Sequence, residues 1–204
     1  MSMFRVAHGI CHAMFKIMFK FSIEGRENIP KDRNYIVVSN HTSYLDPPIL
    51  GVSMTEPLTY MAKEELFHFK PFGWLIKKLG AFPVNRSGGD IGAVKTALKL
   101  LKNGHRMVIF PEGGRSKKKG ELRHGKSGAV MLAAKTGVGL LPVGISADFK
   151  FRGRVKVTIG KYIDFSEYSG KKLSAEEMQK ITDDVLMPEI ARLAEVKVYG
   201  YKNC

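Results

Sequence analysis

Tyr35-Ile36-Val37-Val38-Ser39-Asn40-His41-Thr42-Ser43-Tyr44-Leu45-Asp46-Pro47-Pro48 is the stretch around which the chain is organised. Its opening apolar run has the composition of a strand buried on both faces. Ser39-Asn40 ends the run, and His41 follows at the strand's mouth. Asp46 comes after four intervening residues, ahead of a proline pair. Aspartate before proline suits a helix start, as N-cap and first helical residue. A histidine at a strand end with a carboxylate close behind is also the wiring of a general base. The imidazole takes a proton near neutral pH, and the carboxylate holds the other ring nitrogen and balances the imidazolium that forms. The two roles of Asp46 are compatible. The residues near His41 include no cysteine and no second histidine, so nothing there suggests a metal.

Outward from this stretch, strands alternate with helices. Residues 2–21 read as an amphipathic helix. At about 100° per residue, Arg5, His8, His12, Lys16 and Lys20 fall on one arc, and Phe4, Ile10, Cys11, Met14, Ile17, Met18 and Phe21 on the opposite one. The charge-free run from Val6 to Phe15 is far short of the roughly 20 residues a spanning helix needs, and the interruptions argue against a signal peptide. The pattern predicts a helix lying in a membrane interface, with a bland alternative of a helix packed on its own core. This divides the chain into residues 1–24, a membrane-association helix, and residues 25–204, the main domain. Further on, Pro47–Val52 reads as a short helix and Leu58–Ala62 as a strand. Glu64–Leu79 reads as a helix interrupted at Pro71-Phe72-Gly73. Ala81–Val84 is a strand, Asp90–Lys102 an amphipathic helix stopped by Gly104, and Met107–Phe110 a buried strand. Ser127–Thr136 is a helix ended by Gly137, and Val138–Ile145 an apolar strand. Val155–Ile159 alternates with charge as an edge strand would. Ser174 and Glu177 form a capping box for a last helix to about Glu195, with a kink expected at Pro188. The expected fold is α/β, a single-domain mixed sheet flanked by helices.

The 204 residues suit one domain, and an apolar fraction of 44% argues against disorder. The two cysteines, Cys11 and Cys204, sit near opposite ends, and nothing in their spacing suggests a disulfide framework or a metal site, which favours a reducing compartment. A net charge of +14 implies an anionic partner: nucleic acid, anionic lipid, a phosphorylated substrate or an acidic carrier protein. Nucleic acid is disfavoured by the lack of zinc-finger spacing, an aromatic stacking block or a recognition helix.

Two more strand ends carry chemistry. Phe82-Pro83-Val84-Asn85-Arg86 delivers Arg86. Phe110-Pro111-Glu112-Gly113-Gly114-Arg115-Ser116 delivers a carboxylate, a glycine pair and an arginine. Arginine's donor fork fits a phosphate, and glycines allow backbone amides to approach an anion. In open α/β sheets, ligands gather at strand ends near a topological switch point. His41, Asp46, Arg86, Glu112 and Arg115 are therefore expected to converge. Gly120-Glu121-Leu122-Arg123-His124-Gly125-Lys126-Ser127 matches the P-loop pattern, but a solvated Lys117–Lys119 run precedes it where a P-loop needs a buried strand. That segment reads instead as a basic rim for anionic headgroups or an acidic carrier, or as a solvated loop.

The ordered set of four blocks, 40–46, 80–86, 110–116 and Leu141-Pro142-Val143-Gly144-Ile145, resembles the 1-acyl-glycerol-3-phosphate (lysophosphatidate) acyltransferases, glycerolipid acyltransferases with an HxxxxD motif. It covers about half the chain. Gly114 departs from the pattern, where the family usually has a larger residue, often threonine. The resemblance implies acyl transfer from acyl-CoA or acyl-carrier protein to the sn-2 hydroxyl of lysophosphatidate, giving phosphatidate in phospholipid biosynthesis. It implies that His41 is the base, that Asp46 orients it, and that Arg86 and Arg115 hold the substrate phosphate. Glu112 and Gly113 would shape the glycerol pocket, Asn40 and Ser43 would bind substrate, and backbone amides would stabilise the oxyanion. It implies no cofactor, no metal and no acyl-enzyme, and a peripheral or monotopic enzyme on the cytoplasmic face of the cell membrane, touching anionic lipid. A related lysophospholipid or glycerol-phosphate acyltransferase, and a non-catalytic lipid-binding module, remain alternatives; the module would need the arginines but not His41.

Overall fold

The structure, a computed structural model, describes residues 2–84, 91–116, 118 and 120–198. Helix α1 (Ser2–Met18) leads into strand β1 (Lys20–Glu24). There follow β2 (Ile36–Ser39), α2 (Asp46–Ser53), β3 (Leu58–Lys63), α3 (Lys70–Lys78), β4 (Ala81–Val84), α4 (Ile91–Lys102) and β5 (Arg106–Ile109). The chain continues through β6 (Glu121–Leu122), α5 (Gly128–Thr136), β7 (Leu140–Ala147), β8 (Arg154–Ile159), α6 (Ala175–Ile181), α7 (Met187–Ala194) and β9 (Lys197–Val198). Seven strands form one sheet in the order β1-β8-β7-β2-β5-β3-β4, and β6 pairs with β9 in a separate two-stranded ribbon. The sheet is parallel from β7 to β4 and from β1 to β8, and antiparallel where β7 meets β8. This is the expected mixed α/β architecture.

β2 lies at the middle of the sheet. Its residues alternate between faces, as a pleat requires. Ile36 and Val38 join the core under α4, α5 and α7, while Tyr35 and Val37 join the core under α1 and α2. Both faces are thus covered by helices, and Tyr35 to Val38 are fully buried. The chain leaves β2 for β3, skipping one position, and β5 later fills the gap; β7 then takes β2's other side. This is the switch point, and the carboxyl ends of β2 and β5 open side by side there. Gly144 lets helix α7 lie directly on β7: a Cβ at this position would fall 2.1 Å from the Leu193 carbonyl carbon.

Several local expectations change in the folded chain. The N-terminal helix stops at Met18, where the backbone N–H of Arg152 donates to the Met18 carbonyl at 2.7 Å. Lys20–Glu24, expected partly as helix, is a strand in register with β8, Lys20 opposite Arg154. β8 is therefore an interior strand, and β1 holds the edge. Lys156 tolerates that interior position by pairing with Glu24 at 3.5 Å and Glu195 at 2.7 Å. The faces of α1 also differ from the expected arcs. Phe15 and Phe19 are buried, His8 lies 3.2 Å from the Met54 carbonyl, and His12 meets the edge of Phe21. Val6, Ile10, Met14 and Ile17 are left facing outward. The imidazoles act as flat semi-polar bodies against the core, a use that periodicity does not reveal. The side chains of Phe4 and Arg5 lie outside those described. The break in the Glu64–Leu79 segment falls before Pro71, because proline is accommodated in the first turn of α3. The capping box of Ser174 and Glu177 forms as read. Ahead of Pro188, Thr182–Leu186 is a π-helical turn, which absorbs the proline ring and its missing N–H.

Candidate active site

The end of β2 is locked before the base begins. Asn40 is 1% exposed, and its amide bridges to β7: Nδ2 donates to the Ile145 carbonyl at 2.9 Å, and Oδ1 accepts from the Ile145 N–H at 2.8 Å. Expected to bind substrate, Asn40 instead ties two strands together. Both amide atoms are engaged by the Ile145 backbone, and almost none of the side chain is exposed.

His41 follows, 8% exposed. Its Nδ1 lies 2.9 Å from Asp46 Oδ2, and the same oxygen accepts the N–H groups of Thr42 at 2.6 Å and Ser43 at 2.7 Å. An oxygen receiving two backbone N–H groups acts as an acceptor, so Nδ1 carries the proton and Nε2 presents its lone pair. Asp46 is fully buried as the first residue of α2, with Leu45 rather than Asp46 at the N-cap position. Its charge remains favourable there, beside the positive end of the helix. The Ser43 hydroxyl accepts from the Leu45 N–H at 3.1 Å, closing the turn between the two residues. The Phe110 ring stacks on the imidazole, with centroids 4.1 Å apart and planes 18° from parallel. It fixes the ring plane from the apolar side.

Glu112 is held differently from the expectation that it shapes a glycerol pocket. It is 2% exposed; Oε1 accepts from the His41 N–H at 2.7 Å and Oε2 from the Arg123 N–H at 2.9 Å. Burial pushes its carboxyl above the ordinary range, and the two N–H bonds pull it part of the way back. Glu112 is a clamp joining the base loop to the segment that carries Arg123. Gly113 adopts φ +66° and closes a turn by donating to the Phe110 carbonyl at 3.0 Å. Ser116 N–H then donates to the His41 carbonyl at 2.7 Å, so the Glu112–Ser116 loop grips the histidine backbone from two sides.

Arg115 reaches back over the base loop. Its guanidinium lies 3.6 Å from the centroid of the Tyr44 ring and donates to the Tyr44 hydroxyl at 2.8 Å. Arg86 and Asn85 lie outside the described residues, although β4 ends at the same sheet edge as β2 and β5. The structure thus brings His41, Asp46, Glu112 and Arg115 together. Phe110 and Tyr44 are not singled out for this site by the sequence, and Arg123 enters there only as part of the basic rim. The first two sit inside the recognised motifs, and their stacking partners lie about 70 positions away in the chain. The Gly120–Ser127 segment has a two-residue strand, β6, within it, and the described residues immediately before it form no strand.

In chemical terms, the arrangement is an oriented imidazole with a free Nε2 face, a buried counter-charge and an arginine poised at the rim. It can take a proton from a hydroxyl and hold the resulting positive charge. A family model described as Acyltransferase matches residues 20–146. A 1-acyl-sn-glycerol-3-phosphate acyltransferase of Streptococcus pneumoniae is 31% identical over 88% of this chain and 70% of its own length. One from Bacillus subtilis is 33% identical over 72% of this chain and 75% of its own. The crystal structure of the 1-acyl-sn-glycerophosphate (LPA) acyltransferase PlsC from Thermotoga maritima superposes with a TM-score of 0.75 at 30% identity, covering 98% of this chain and 81% of that one.

Proposed function

The chain belongs to the acyltransferase family, and we propose that it moves a fatty acyl group from a thioester, acyl-CoA or acyl-carrier protein, to the sn-2 hydroxyl of 1-acyl-glycerol-3-phosphate, forming phosphatidate. The observation that carries the mechanism is the His41–Asp46 contact of 2.9 Å with Nε2 left open. His41 Nε2 removes the hydroxyl proton as the oxygen attacks the thioester carbonyl. The tetrahedral adduct collapses, the C–S bond breaks, and the proton on His41 passes to the departing thiolate. Asp46 offsets the imidazolium charge while it lasts, and no group of the chain is acylated. Arg115, with Arg86, binds the acceptor's phosphate through charge-assisted hydrogen bonds.

The reaction takes place at a membrane surface, which α1 contacts through its outward apolar face of Val6, Ile10, Met14 and Ile17. No helix among the described residues is long and apolar enough to cross a bilayer. In this reading both substrates are met on the cytoplasmic face of the membrane. The test is acyl transfer from oleoyl-CoA and from oleoyl-acyl-carrier protein to lysophosphatidate in detergent micelles, for wild type and His41→Ala. Phosphatidate made by wild type and reduced by about 10² to 10⁴ in the variant supports the reading. A folded His41→Ala enzyme with undiminished turnover overturns the mechanism.

A further inference from the structure

We propose that Arg123 is a further phosphate-binding arginine of this site, beside Arg115, given room by the glycine at position 114. A Cβ placed on Gly114 would lie 3.1 Å from Arg123 Nη1, closer than ordinary contact. The Arg123 guanidinium therefore rests against the backbone of the turn that carries Arg115. A threonine at 114, the residue the resemblance leads one to expect, would press on the guanidinium and shift it by a few tenths of an ångström or more.

Arg115 and Arg123 line one cavity of about 520 Å³, together with Lys118, Glu121 and His124. That volume suits a small-molecule ligand or headgroup. The cavity's carboxylate, Glu121, pairs with Lys118 at 3.7 Å, and His124 faces Asp183 at 3.9 Å. Neither arginine forms an ion pair with a carboxylate among the described residues. Arg115 is steadied instead by the Tyr44 ring and hydroxyl. Arg123 is steadied through its main chain, because Glu112 holds its N–H with one oxygen and the His41 N–H with the other. Two guanidinium forks on one cavity, neither tied up in a carboxylate ion pair, make the donor set of a phosphate monoester, and one carboxylate registers that cavity to the base. This also gives the Gly120–Ser127 segment a use: it supplies a side-chain cation and not a backbone cradle.

The inference rests on the proposed acyl transfer, in which two substrates bring a phosphate monoester: the acceptor's glycerol phosphate and the 3′-phosphate of CoA. Calorimetric binding of sn-glycerol 3-phosphate and of adenosine 3′,5′-bisphosphate to the full chain separates them without turnover. The proteins are wild type, Arg123→Gln, Arg123→Lys, Gly114→Thr and the Gly114→Thr/Arg123→Gln pair, each checked by thermal unfolding. Arg123→Gln should weaken one of the two ligands about ten-fold or more, the scale of a lost hydrogen bond to a charged group. It should raise the KM of the substrate bearing the same headgroup. Arg123→Lys should recover part of the loss. Gly114→Thr should act in the same direction, and the double variant should be no worse than Arg123→Gln alone. Loss on glycerol 3-phosphate assigns the cavity to the acceptor, and loss on the bisphosphate assigns it to the donor. Equal binding of both ligands by wild type and Arg123→Gln overturns the proposal, as does a wild type that binds neither. A wild type that binds through Arg123 yet makes no phosphatidate supports the cavity and overturns the acyl-transfer reading.

Discussion

Asp46 Oδ2 lies 2.9 Å from His41 Nδ1 and also accepts the amides of Thr42 and Ser43. One oxygen thus sets the tautomer of the base and the shape of the loop that carries it. Asp46→Asn keeps the volume but removes the charge, and its amide nitrogen can face Nδ1 and reverse the tautomer. Transfer should fall by about 10² to 10⁴, with the unfolding midpoint moving less than in Asp46→Ala. Steady-state kinetics beside thermal melts checks this; a rate near wild type in Asp46→Asn removes the carboxylate from the mechanism.

Asn40 separates a structural role from a binding one. Replacing it with alanine leaves the buried N–H and C=O of Ile145 unpaired, at a cost of roughly 1–3 kcal/mol for each group. Urea unfolding should show that loss, while the surviving folded enzyme keeps its acceptor KM. A raised KM at unchanged stability would mean that Asn40 touches substrate after all.

Glu112 makes a prediction about pH. Burial raises its carboxyl in the folded chain above the ordinary 4.5. Between that value and the raised one, the folded chain holds the proton more often than the unfolded chain does. Stability from this group is therefore full below about pH 4.5 and declines as pH rises through the folded value. Glu112→Gln does not titrate, and its amide opposes one of the two N–H donors, costing roughly 1–3 kcal/mol. The stability of wild type minus that of Glu112→Gln should therefore shrink as pH rises above about 4.5. Denaturant unfolding across that range reads the slope, and the opposite slope contradicts a burial-dominated shift.

The two faces of α1 should respond oppositely to substitution. Ile10 is 64% exposed and Ile17 67%, whereas Phe15 is 1% exposed. Ile10→Ser and Ile17→Ser should each weaken binding to anionic vesicles about ten-fold, the value of one buried isoleucine, without lowering the melting temperature. Phe15→Ala should cost about 3–5 kcal/mol of stability by opening a cavity in the core. Vesicle flotation and thermal melts separate the two. Unchanged vesicle binding in the Ile10→Ser/Ile17→Ser pair would remove this face from the membrane contact.

Much of the fold and the base could be read from the chain because the signals are local. Tyr35–Val38 spells a strand covered on both sides, and the spacing from His41 to Asp46 matches one loop between a strand end and a helix start. The Ser174–Glu177 capping box forms where its residues stand. Motif order carried the family in the same way.

What stayed hidden depends on partners far along the chain. Lys20 and Phe21 look like the end of a helix until β8 offers Lys20–Glu24 a ladder, and β8 looks like an edge until β1 covers it. The helical period of α1 divides two arcs but not which arc meets the sheet; Phe15 settles that by packing on Phe21 of β1 within the core under α1 and α2. Asn40 reads as a ligand group until Ile145, 105 residues later, takes both its amide atoms. Glu112 becomes a clamp because its two oxygens find amides on separate segments. Local pattern reflects which residues suit an element, since backbone geometry repeats within a few positions. Which polar atoms remain for chemistry depends on long-range hydrogen bonds, and these exist only once the sheet has closed around β2.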